Sequence, residues 1–152
     1  MTLTPVESPA EPAEPAEPRE SPVLDLLIKI SGVVIAVVAA VLSGLLEIFL
    51  APLRAGGFPL GLAVLIAVVG NFAIAWFAYT TVGRRWAVAP PWVIWTALML
   101  FAAGVRTDEG DYLIAGDNWV ALVMILVGSL TFAVYAYRMI LKPLPPAGII
   151  KQ

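Results

Sequence analysis

Residues 26–50 read LLIKISGVVIAVVAAVLSGLLEIFL, with no charge between Lys29 and Glu47. An uninterrupted apolar run of this length is close to the roughly 20 residues that a helix needs to cross the hydrocarbon of a bilayer. Pro52, Gly56, Gly57 and Pro59 follow, so the helix stops there and the chain turns. Three further apolar runs repeat the pattern, and this repetition decides the fold. The second covers about Leu60 to Val82, has no charge, and is stopped by Gly83-Arg84-Arg85-Trp86. The third covers about Pro91 to Val105. Counting it from Trp86 lengthens it and puts Pro90-Pro91 in its first turn, where proline is tolerated. A polar loop from Arg106 to Asn118 leads to the fourth, about Trp119 to Tyr137, which ends at Arg138.

The 152 residues are 61% hydrophobic and 13% charged, about half the charged share of a soluble domain. The four runs are too long for the strands of a membrane barrel and lack their alternation, and in lipid every backbone group must be satisfied internally. The expected fold is therefore all-α, an integral membrane bundle of four transmembrane helices. It divides into a Pro/Glu/Ala-rich tail (1–22), a four-helix domain (23–142) and a short second tail (143–152). The leader, with its near repeat Glu11-Pro12-Ala13, Glu14-Pro15-Ala16, Glu17-Pro18, cannot bury enough apolar surface to offset its ordering entropy, so disorder is expected. It is acidic where a secretory signal would be basic, so the first run reads as a retained span.

Lysine and arginine resist translocation, and their distribution across short loops sets orientation. With the N terminus cytoplasmic, Arg19, Lys29, Arg84, Arg85, Arg138, Lys142 and Lys151 fall inside, against Arg54 and Arg106 outside. Both termini are thus expected in the cytoplasm of a multi-pass cell-membrane protein. Trp86, Trp92, Tyr112 and Trp119 sit near span ends, as anchoring rings do. Trp76 and Trp95 lie deeper, facing either neighbouring helices or lipid.

The chain has no cysteine and no histidine, which removes disulfides, thiol nucleophiles, ordinary zinc sites and the commonest general base. A formal net charge of −2 with scattered basic residues offers no nucleic-acid surface. No phosphate-cradling loop, serine nucleophile with partners, or catalytic carboxylate pair stands out. No enzyme activity and no cofactor are expected.

Three sets of residues remain as candidates. Gly32, Ala36, Ala40 and Gly44 recur every four residues on the first helix, as do Ala63, Ala67, Asn71 and Ala75 on the second. Small residues at that spacing let helix backbones approach closely in lipid. The two stripes are expected to face each other with Asn71 buried between helices, either within the monomer or at a partner interface. Glu47 is the acidic residue placed within a span, and an ionisable group at membrane depth is a functional candidate by default. Arg54, seven residues on, returns to nearly the same helix face. The pair reads either as an interfacial ion pair or, through Glu47 alone, as a coupling carboxylate. Finally, Asp108, Glu109, Asp111 and Asp117 gather in one loop. Their spacing does not match a calcium loop, and they read as a docking loop for an extracytoplasmic partner or as a plain solvated hairpin.

The Gly57-Phe58-Pro59-Leu60-Gly61 turn, the Gly83-Arg84-Arg85-Trp86 loop, Trp95 and the Glu109-Gly110-Asp111 loop resemble a family of small four-helix actinobacterial membrane proteins of unassigned function, over about Leu45 to Ala136. Within it, a Pro- and Glu-rich leader before four spans is similar to the LucB-type accessory subunit of Mce-class lipid importers. That resemblance implies a non-enzymatic subunit beside the permease of an ABC lipid transporter, surrounded by membrane lipids. The alternative is a small homodimeric transporter resembling the small multidrug resistance exporters, with Glu47 as its working carboxylate.

Overall fold

A computed structural model describes residues 21–106 and 118–141. The leader before residue 21, the acidic loop with Asp108, Glu109, Asp111 and Asp117, and the tail after residue 141 lie outside the described residues.

The described residues form four α-helices: α1 (Pro22–Leu50), α2 (Leu62–Val82), α3 (Ala89–Gly104) and α4 (Trp119–Leu141). Each is long and apolar enough to cross a membrane, α3 when counted with the 3₁₀ turn Arg85–Val88 that leads into it. The helix α1 starts four residues before the apolar run. Pro22 occupies its first turn, where the missing N–H costs nothing, and the Asp25 carboxylate accepts from Lys29 one turn later.

At its other end α1 stops at Leu50, and a two-residue antiparallel hairpin forms, β1 (Arg54–Ala55) with β2 (Phe58–Pro59). Gly56 and Gly57 form its turn, both with positive φ (58° and 86°). A two-residue turn of the primed type requires this conformation, and only glycine adopts it without strain at both positions. Leu60 N–H then donates to Leu53 O, closing the hairpin before α2 begins. Gly83, also left-handed, ends α2 by donating to Tyr79 O.

The helices run up and down. The helix α1 packs on both α2 and α3, α2 also packs on α4, and α3 touches α4 and α2 only slightly. The core is built of small residues, Ala36, Ala40, Ala63, Ala67, Ala75 and Ala78, around a few large ones, Trp95, Met99, Met124 and Phe132. The outside is apolar: Phe49 is 77% exposed, Leu126 69% and Phe101 68%. A soluble fold would bury such side chains, whereas helices with apolar exteriors and small-residue interiors suit hydrocarbon surroundings.

Candidate functional site

Every residue of both small stripes is buried. Their partners differ from the expectation that the stripes face one another. A Cβ on Gly32 would come within 2.6 Å of Thr81 Cγ2 on α2, while one on Gly44 would come within 2.8 Å of Leu98 Cδ2 and 3.1 Å of Met99 Cε on α3. The α1 stripe thus passes from one neighbour to the other. On α2, Asn71 turns to α4, and it is Gly70 that meets α1, at Ser43. The reason is geometric. A four-residue step overshoots the 3.6-residue turn by about 40°, so three steps sweep roughly 120° of helix surface, enough to reach two neighbours.

Glu47 continues the α1 stripe and is completely buried. The serine one turn earlier, Ser43, donates its hydroxyl to Glu47 Oε1 at 2.7 Å, and Trp95 Nε1 of α3 donates to Oε2 at 3.1 Å. Both carboxyl oxygens are therefore engaged from inside the bundle. Arg54 takes no part, because it stands exposed on β1 beyond the helix end. The seven-residue spacing presupposed a helix that the chain leaves at Leu50, and no ion pair joins the two residues.

The far edge of the Trp95 ring lies against the backbone of Gly128 on α4. A Cβ there would overlap Trp95 Cη2 and sit 2.7 Å from Cζ2. On the other side of the same residue, Asn71 Nδ2 donates to Gly128 O at 3.2 Å. The centre is thus one continuous layer, Ser43 and Glu47 from α1, Asn71 from α2, Trp95 from α3 and Gly128 from α4. Phe132 supports the indole, its ring tilted 54° at a centroid distance of 6.3 Å. Asn71 Oδ1 is buried with no hydrogen-bond partner.

A second hydrogen bond, Trp92 Nε1 to Ser129 Oγ at 3.0 Å, joins α3 to α4 nearer one end. Asn118, just before α4, accepts from Ala121 N–H at 3.4 Å and donates to Ala51 O at 3.2 Å, tying the start of α4 to the end of α1. Of the two deeper tryptophans, Trp95 is buried and Trp76 faces outward, 55% exposed.

Chemically, the layer can hold four helices in one register. Apart from Asn71 Oδ1, its polar groups bond to one another or to the backbone of the bundle, and Glu47, Asn71 and Trp95 are all fully buried. Ser43 was legible as a partner for Glu47, since it lies four residues before it. Gly128 carries no signal in an apolar run, and its role appears only once Trp95 is in place. No group of three or more metal-ligating side chains comes together among the described residues. Comparison of the chain with protein-family models, with curated proteins and with solved structures finds no match in any of the three.

Proposed function

We propose that the chain is a multi-pass membrane protein with both termini in the cytoplasm, and that it serves as a non-enzymatic accessory or stabilising subunit of a larger inner-membrane complex. The observation carrying this reading is the state of Glu47. Among the described residues Glu47 is the one buried carboxyl, and it is bonded at both oxygens by Ser43 and Trp95. A transport carboxylate must meet its proton or substrate, whereas a structural one is best enclosed with its hydrogen bonds complete.

The apolar exterior and the excess of Lys and Arg at the Arg84–Arg138 end support insertion with that end inside. The similarity of a Pro- and Glu-rich leader before four spans to the LucB-type subunits makes the permease of a Mce-class lipid importer the most specific partner in view.

The test is purification of the tagged protein at native expression in a mild detergent, followed by identification of what remains bound. Recovery of a stoichiometric permease supports the subunit. Recovery of self-dimers alone, together with loss of a proton-coupled efflux on Glu47→Gln, replaces it with the small multidrug-type transporter.

A further inference from the structure

A groove of about 630 Å³ runs between the first half of α1 and the corner where α2 passes into the 3₁₀ turn. Its walls are Leu26, Ile30, Val33 and Val34 from α1 and Val82 from α2. From Leu26 to Val34 they extend about 12 Å along the helix, most of the ~15 Å depth of one hydrocarbon leaflet. At its mouth stand Asp25, Lys29, Arg84 and Trp86. Asp25 and Lys29 bind each other. The Arg84 side chain makes no hydrogen bond or ion pair among the described residues, its backbone carbonyl alone accepting from Ala87 N–H, so its charge is the uncompensated one. Arg85, next to it in the chain, and Arg138, at the same end of α4, add positive charge to that end of the bundle. Trp86, 56% exposed, is the ring type that settles at headgroup level.

An apolar trough that opens on an unpaired guanidinium matches one molecule in both parts, a lipid with a phosphate at its head. We propose that this groove binds one anionic phospholipid, with its phosphate on Arg84 and an acyl chain laid along α1. Anionic lipids are preferred over zwitterionic ones because the ammonium of a zwitterionic headgroup would be brought up to the guanidinium groups of Arg84 and Arg85. Basic pockets between helices on the cytoplasmic side select anionic headgroups for this reason. The proposal rests on the reading that the chain spans a membrane with this end inside.

The full-length protein, reconstituted in nanodiscs of mixed phosphatidylcholine and phosphatidylglycerol and released for native mass spectrometry, should retain one phosphatidylglycerol in preference to phosphatidylcholine. Arg84→Gln should lower that retention about tenfold, the worth of one charge-assisted hydrogen bond. Val34→Trp, at an outward wall position, should lower it by filling the trough. Arg54→Gln, at the opposite end, should leave it unchanged. Equal retention of the two lipids, or full retention by Arg84→Gln, overturns the proposal. Loss in Arg84→Gln with full retention in Val34→Trp overturns the placement of the chain in the groove. Protein that fractionates with the aqueous phase without detergent defeats the membrane reading itself, an outcome distinct from insertion without lipid preference.

Discussion

The indole N–H of Trp95 donates to Oε2 of Glu47 across 3.1 Å, joining α3 to α1 through two side chains that are both 0% exposed. Removing the donor leaves a carboxyl oxygen enclosed without a partner, and removing the ring leaves a cavity beside Gly128. Trp95→Phe should therefore destabilise the bundle by about 2–4 kcal/mol, the hydrogen bond and the lost volume acting together. Glu47→Gln retains an acceptor for Trp95 and a group within reach of Ser43, so it should cost less than about 1 kcal/mol. Chemical unfolding in detergent micelles compares the two. A Glu47→Gln loss as large as that of Trp95→Phe would mean that the carboxyl itself, rather than its hydrogen bonds, holds the helices.

Gly128 admits no side chain. Gly128→Ala should force the indole off its seat at a cost of about 1–3 kcal/mol, because its Cβ meets a rigid ring and Asn71 Nδ2 at 3.0 Å together. Gly104, the last residue of α3, has nothing within 4 Å of a built Cβ. Gly104→Ala should be neutral or stabilising by a few tenths of a kcal/mol. Thermal unfolding of the two variants side by side reads the difference.

Asn118 secures both the first turn of α4 and the last carbonyl beyond α1. Asn118→Ala should lower stability by about 0.5–2 kcal/mol, the usual range for losing a helix cap. Asn118→Asp should recover part of the loss, since an aspartate still accepts from Ala121 N–H but cannot donate to Ala51 O. Equal losses in the two variants would assign the whole effect to the bond with α1.

The chain carries no cysteine, so single cysteines report orientation without background. In intact cells a membrane-impermeant maleimide should label Ala55→Cys on the hairpin and spare Arg85→Cys until the membrane is opened. The reverse pattern would invert the orientation and move the Arg84 groove to the other leaflet.

The four helices were legible because each apolar run is long and its ends are punctuated by Pro, Gly or paired arginines. The start of α1 was not, since Pro22 and the Asp25–Lys29 pair extend the helix through residues that hydropathy alone leaves outside. Both small stripes end up buried, but which helix each residue touches depends on the drift of a four-residue repeat around the helix axis. That drift becomes visible only when the neighbours are placed. The partner of Glu47 was misplaced for a related reason. Spacing pointed to Arg54, seven residues on, but the chain reverses at Gly56-Gly57, and the donor that reaches Glu47 from another helix, Trp95, is 48 residues away. A contact made by tertiary packing leaves no periodic trace.

The 29 residues of α1 make a rod about 43 Å long, against a hydrocarbon thickness of about 30 Å. Upright, it would push more than two turns into the headgroups. Leaning over would hide those turns, but α1 is gripped by α2 near Gly32 and by α3 near Gly44, and so it can lean only if the whole bundle leans with it. Inserted as proposed, the protein would respond to bilayer thickness, and thinner or thicker bilayers should reorient it as one rigid unit.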